Sequence, residues 1–158
     1  MNQETAPNLR GNEQDAIAML AVVAAEQSPK IERIVSHTRW QLHLVHSIHE
    51  AIQALQSRPV SVVLCENRLP DGTWLDVVHE TEHLCPRPQT IVLSASPDPV
   101  LWGEVLNCGG YDLLETPLQP QEVYALVPMA WRQSNTSAEK MPEPESERNL
   151  TAALASVR

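Results

Sequence analysis

The sequence predicts an α/β domain built on a doubly wound, five-stranded parallel sheet, and three observations carry that expectation. Apolar runs of strand length alternate with helical patterns five times between residues 16 and 132. The run Val60 to Cys65 is interrupted by no polar residue except Ser61, the pattern of a strand covered on both faces. Turn and helix-stop signals separate the runs, so each strand is followed by a crossover. Right-handed crossovers then place helices on both faces of the sheet.

The elements follow in order. Ile17 to Ala25 is the first apolar run; its alanines suit a helix as well as a strand, so periodicity leaves its type open. Ser28-Pro29 starts a helix, with proline tolerated at the first position, and Ile31, Ile34, Val35 and Thr38 mark one face. Leu42 to Val45 is a short strand. Ser47-Ile48-His49-Glu50 reads as a capping box, with Ala51, Ile52 and Leu55 as the buried face behind it. Val60 to Cys65 is the third strand. Trp74 to Leu84 is the next helix, closed by Pro86. Thr90 to Leu93 is a strand, and Asp98-Pro99 opens a helix that stops near Gly109-Gly110. Tyr111 to Leu114 is the last strand and Gln121 to Trp131 the last helix.

The flanks differ in composition. Residues 1–15 are polar, and residues 133–158 run through Gln-Ser-Asn-Thr-Ser and Met141-Pro142-Glu143-Pro144-Glu145, too little apolar surface to order a chain. Both are expected to be flexible tails around a domain spanning 16–132, and neither is long enough for a second domain. Asn149 to Val157 is a short helical pattern, marginal on its own.

Composition narrows the function. The net charge of -9 opposes binding to phosphate backbones, so a nucleic-acid partner is not expected. No stretch reaches the roughly 18 unbroken apolar residues of a membrane helix, and the N-terminus has no basic segment followed by an apolar block, so neither a membrane anchor nor a secretory signal is expected. The three cysteines, Cys65, Cys85 and Cys108, have no paired spacing; reduced thiols in a cytoplasm suit them.

The segment Cys65-Glu66-Asn67-Arg68-Leu69-Pro70-Asp71-Gly72-Thr73-Trp74 carries the most information. An apolar strand, an acidic residue at its end and a loop with Leu-Pro-Asp-Gly resemble the phosphoacceptor segment of bacterial response-regulator receiver domains. Leu101-Trp102-Gly103-Glu104-Val105-Leu106-Asn107-Cys108-Gly109-Gly110-Tyr111-Asp112-Leu113-Leu114 is similar to the receiver Ala-Gly-Ala-Asp-Asp-Tyr-Leu region, above all to a divergent branch with Trp and Gly-Gly-Tyr-Asp there. The resemblance spans about residues 16–132 and implies the flavodoxin-like, receiver-like version of the predicted sheet.

It also implies a site. Receivers hold Mg²⁺ with an acidic pair after the first strand, accept phosphate on an aspartate ending the third, carry Ser or Thr at the end of the fourth and Lys-Pro after the fifth. Matched in order, the acidic pair falls on Ala24 and Ala25, the phosphoacceptor on Glu66, the hydroxyl on Ser94 and the lysine on Thr116, followed by Pro117. Transfer of a phosphoryl group to a carboxylate needs cationic groups to neutralise the moving charge, and Mg²⁺ is usually anchored by one or two carboxylates. Mg²⁺ binding and phosphorylation are therefore expected to be lost, and no cofactor or enzymatic activity is expected. Two readings of Glu66 stand: a solvated carboxylate at a strand end, or a fixed negative charge imitating phosphoaspartate by drawing donors from Ser94 and Thr116. The resemblance implies a cis Thr116-Pro117 bond. The aromatic switch position of receivers falls near Asp112 or Leu113, with Tyr111 the nearest aromatic. Trp74 is read as a helix-start residue packed on its helix, or as an aromatic lid or partner anchor.

The partner face implied by the resemblance draws on Leu101, Glu104, Tyr111, Gln121 and Tyr124, with Val105, Leu106 and Leu126 read as core. Partners are expected to be proteins of a signalling pathway, a histidine kinase or an effector, and a homodimer through the same face is a further option. The function expected is an atypical receiver module in two-component (phosphorelay) signal transduction, acting by phosphorylation-independent protein binding. The alternatives are a receiver that still accepts phosphate through an unorthodox site, and a metal- or small-ligand-binding flavodoxin-like domain. For the last, His79 and His83 share a helix face near Cys85, while His43, His46 and His49 straddle a strand and a helix start. No phosphate-binding glycine loop or nucleophile elbow is present.

Overall fold

The first apolar run becomes a strand because it is paired on both sides. In the computed structural model, which describes residues 16–139, β1 (Ala18–Val22) lies between β2 (Gln41–Val45) and β3 (Val62–Glu66). With β4 (Gln89–Ser94) and β5 (Asp112–Glu115) they form one parallel sheet in the order β2-β1-β3-β4-β5. Paired backbone groups on both edges settle what the alanine-rich sequence left open.

Four helices cross between the strands, α1 (Ser28–Ser36), α2 (Ile48–Ser57), α3 (Trp74–Thr81) and α4 (Pro99–Asn107), and α5 (Pro120–Glu139) follows the last strand. Successive strand residues point to opposite faces. Met19, Ala21, Val62, Leu64, Ile91 and Leu93 thus join Ile31, Val123 and Val127 in one core layer. Leu20, Val22, Val63, Cys65 and Val92 join Ala51, Leu55, Val77 and Val105 in the other. Both layers are dry, which is why β3 reads as a continuous apolar run.

The helix starts are built from side chains. Ser47 Oγ accepts the Glu50 N–H at 3.1 Å. The capping box is altered on its return arm: the Glu50 carboxylate accepts the N–H of His46, at 2.9 Å, rather than that of Ser47. Asp98 Oδ1 accepts the Leu101 N–H at 2.7 Å and starts α4. Gly109, at φ 96°, ends that helix in the left-handed region where a side chain would be strained.

Two boundaries depart from expectation. α3 stops at Thr81, whose hydroxyl turns back onto Val78 O at 2.7 Å, ahead of a cis Cys85-Pro86 bond. α5 runs past Trp131 and past residue 133, where a flexible tail was expected, to Glu139. Ser134 is fully buried there and donates to Arg87 O at 2.7 Å, a tertiary contact that holds the extra turns in place. The tails expected at 1–15 and beyond 139 lie outside the described residues. No helix among the described residues is long and apolar enough to cross a membrane.

Candidate functional site at the strand ends

Parallel strands deliver their C-terminal ends to one edge of the sheet, where ligands of such folds gather. Register places Val22 beside Cys65, Glu66 beside Leu93, and Ser94 beside Glu115. The result is an open cleft of about 370 Å³ lined by Gln27, Glu66, Asn67, Arg68, Leu93, Ser94, Ala95, Ser96 and Thr116. Glu66, Ser94 and Thr116 thus meet as the resemblance implied. Ala24 reaches the same place through its backbone, because its N–H is hydrogen-bonded to the Glu66 side chain. Ala25 is exposed and begins the single 3₁₀ turn that leads into α1. The Thr116-Pro117 bond is cis.

Glu66 is half-buried, and burial raises the pKa of its carboxyl above the ordinary glutamate value. The bond from the Ala24 N–H works against that rise, and the negative charge of Glu26 adds to it. Neither hydroxyl expected to donate to Glu66 is bonded to it, and the bonds that these two residues do make are others. Ser94 Oγ accepts the Ser96 N–H at 3.2 Å, and Thr116 uses its backbone N–H on Ser94 O at 2.9 Å.

A divalent cation does not fit this donor set. Ala24 and Ala25 offer no side-chain oxygen, and the Glu66 carboxylate is shared with a backbone donor. Among the described residues no group of three or more His, Cys, Asp or Glu is placed to hold a metal ion. The histidines do not converge: His79 and His83 are exposed around the end of α3, His46 Nδ1 is 2.9 Å from Val23 O, and His49 contacts Gln53 on α2.

Two contributors escaped the sequence reading. Arg68 lines the cleft, so a cation is present after all, two positions beyond Glu66. Asp71 leaves the same loop to cap α2: its Oδ1 and Oδ2 accept the Ile48 and His49 N–H groups at 2.9 and 3.0 Å. Those bonds hold the Asp71 carboxyl below the ordinary aspartate value. The short antiparallel ribbon Arg68–Leu69 with Gly72–Thr73 is thereby tied to α2.

Other expected residues fall as follows. Trp74 begins α3 and is 2% exposed, a core side chain and not a lid. Leu101 is half-buried and Val105 fully buried in the α2–α4 layer. Tyr111, Tyr124 and Leu126 pack against the α1–α5 layer, with Tyr124 Oη donating to Ile34 O at 2.8 Å. Glu104 and Gln121 are exposed. Leu106, read as core, is 42% exposed, because on α4 it sits one residue past the inward-facing Val105. Asp112 Oδ1 accepts its neighbour Leu113's N–H at 2.7 Å, and Leu113 is half-buried beside Trp102.

No family model matches the chain. The response regulator protein PilR of Pseudomonas aeruginosa is 28% identical over 123 residues, covering 74% of this chain and 27% of PilR, so the chain spans a small part of that protein's length. The signal receiver domain of an HD domain-containing protein from Pseudomonas fluorescens Pf-5 superposes with a TM-score of 0.71 at 22% identity, covering 81% of this chain and 95% of that one. The receiver domain of a sensor histidine kinase from Pseudomonas aeruginosa PAO1, solved with a magnesium ion coordinated in its active-site cleft, gives 0.63 at 20% identity, with 73% and 98% covered. A CheY-like response regulator receiver domain protein from Methanospirillum hungatei JF-1 gives 0.68 at 11% identity, with 77% and 98% covered. The five-stranded parallel sheet with helices on both faces is the flavodoxin-like fold of response-regulator receiver domains.

Proposed function

We propose that this chain is a receiver-like module of two-component signal transduction that works by binding proteins and does not accept phosphate. One observation supports the reading: Glu66, Ser94 and Thr116 line one cleft at the strand ends, while Ala24, Ala25 and Thr116 stand at the positions that the receiver resemblance gives to a metal-holding pair and a lysine. A carboxylate attacking a phosphodonor must receive a group bearing charge of about -1.5 to -2. Glu26 already adds negative charge beside Glu66. Arg68 supplies a single exposed cation at the rim. That cation favours the alternative, a cleft still able to accept phosphate, but one guanidinium does not replace a divalent ion and an ammonium group aimed at the transferring oxygens.

The test is incubation of the full chain with acetyl phosphate and Mg²⁺, read by intact mass. The expected result is an unchanged mass. An adduct of about 80 Da, one phosphoryl group, refutes the reading. A variant combining Ala24→Asp, Ala25→Asp, Glu66→Asp and Thr116→Lys is the positive control and is expected to take up the adduct.

A further inference from the structure

The N-terminal ends of β3 and β4 hold a second cavity, at the opposite edge of the sheet from Glu66. Ser61 precedes β3 and Glu66 ends it, a span of roughly 16 Å. The cavity has a volume of about 160 Å³ and lies between the end of α2, the start of β3 and the chain joining α3 to β4. Leu55, Pro59, Val60, Leu84, Pro86 and Pro88 supply its apolar wall. Half of these are prolines, whose fixed φ and missing N–H make the wall stiff and poor in donors. A dry apolar cavity of about 150 Å³ holds one benzene ring. The space is thus preformed and suits one small ring or a short branched chain.

Its polar edge is Arg58, with Ser61 and Cys85. Arg58 is the exposed C-cap residue of α2, where a cation suits the electronegative helix end. That position sets the side chain at the cavity's edge but uses none of its donors: among the described residues no group accepts a hydrogen bond from the guanidinium. The same residue lines two neighbouring clefts along β2. Glu50 is the only carboxylate lining any of the three, and it already accepts the His46 N–H at 2.9 Å. Burial first, and the charge of Arg58 second, hold the His43 imidazole below its ordinary pKa, so His43 adds no second cation at neutral pH. The ions of the neighbouring elements face elsewhere. Glu80 accepts from Gln56 Nε2 at 2.9 Å, and the Arg87 guanidinium lies against Gly109. Glu82 and His83 are exposed and line none of the three. One unneutralised guanidinium therefore stands at the edge of an apolar cavity.

This pairing selects the ligand. A guanidinium offers two parallel N–H groups to a carboxylate. A phosphate group carries a charge of about -1.5 to -2 and three acceptor oxygens, which one cation and the Ser61 hydroxyl do not match. We infer that this cavity binds a small apolar monocarboxylate, its carboxylate on Arg58 and its ring or branched chain against Leu55, Val60 and Leu84. The site lies apart from the Glu66 cleft and does not depend on the protein-binding role proposed above.

The experiment uses the full chain with benzoate as the probe and benzylamine, of like shape and opposite charge, as its counterpart. Equilibrium dialysis is expected to find one benzoate per chain, half-saturated at about 1 mM, and to find benzylamine bound about tenfold more weakly or not at all. Cys85 reports the place. Its alkylation by N-ethylmaleimide, followed by peptide mass, should slow about threefold or more at saturation, while that of exposed Cys108, at the end of α4, is unchanged. Arg58→Gln changes an exposed side chain and is expected to weaken benzoate about tenfold or more, with thermal unfolding still cooperative. Absence of saturable binding overturns the inference. So does binding that leaves Cys85 unprotected, because benzoate then sits elsewhere. Binding undiminished by Arg58→Gln, or matched by benzylamine, also overturns it, since an apolar hole alone would then explain the uptake. Equal slowing at Cys85 and Cys108 overturns it as a general effect of the solute on thiol chemistry.

Discussion

Two glycines seven residues apart should respond to alanine with opposite signs, and the structure sets the size of each response. Gly103 lies inside α4 with open space where a Cβ would go. Alanine there meets no neighbour and removes the entropic cost of holding glycine helical, so Gly103→Ala should stabilise the fold by about 0.5–1 kcal/mol. At Gly110 the added Cβ would stand 2.5 Å from Val105 Cγ1 and 2.9 Å from the Val105 carbonyl oxygen. The carbonyl accepts the Gly110 N–H at 2.7 Å, so the backbone cannot withdraw without breaking that bond. Overpacking of this kind costs about 1–3 kcal/mol. With a urea slope of about 1–3 kcal/mol per molar, the unfolding midpoint of Gly103→Ala should rise by a few tenths of a molar. That of Gly110→Ala should fall by about a molar. A fall in the midpoint for Gly103→Ala would mean that the outer face of α4 is covered or rotated inward, and the packing argument for that helix would fail.

Two further outcomes concern titration. The folded pKa of Glu66 lies above its unfolded value, so the charged form is disfavoured in the native state and stability falls as pH rises through the folded pKa. Glu66→Gln keeps an acceptor for the Ala24 N–H and should be the more stable form at neutral pH, with the advantage vanishing below the ordinary glutamate value of 4.5; urea unfolding at pH 4 and pH 7 checks this, and a wild type more stable than the variant at pH 7 contradicts it. Asp71 has the opposite sign: its folded pKa is depressed, so its contribution is complete above the ordinary aspartate value of 3.8 and is lost as pH falls through the folded pKa. Asp71→Ala should lower stability at pH 7 and converge with the wild type in acid, and parallel stability curves would sever the link between this loop and α2.

The sheet was legible wherever both faces of a strand are covered, because an uninterrupted apolar run then has no polar residue to obscure it; β3 and β4 are such strands. β1 was not, since Ala18 to Val22 satisfies two periodicities and only its pairing with two neighbours decides between them. The far end of α5 was hidden for a different reason. Ser-Asn-Thr-Ser is a run of residues with weak helix propensity, and the contact that overrides it, Ser134 on the Arg87 carbonyl, joins residues 47 positions apart. Leu106 was misread although its spacing held the answer: with Leu101 and Val105 inward, the next residue is rotated by about 100° toward solvent. The cleft residues were legible because parallel strands must end together. Arg68 and the Ala24 N–H were not: one is a loop side chain and the other a backbone atom, and neither has a pattern to betray it.

The same contacts bear on the two readings of Glu66. A carboxylate that imitates a phosphorylated aspartate has to capture the hydroxyl ending β4 and so hold the β4–α4 loop in one position. Here that hydroxyl accepts the Ser96 N–H within its own loop, which leaves its proton uncommitted, and the carboxylate is bonded to the Ala24 N–H. Nor does its charge come free, because burial and Glu26 both oppose ionisation. The observable work of Glu66 is to join the end of β3 to the loop after β1, across the positions where a receiver would hold its metal. In that role the side chain spans the place where Ala24 and Ala25 carry no carboxylate.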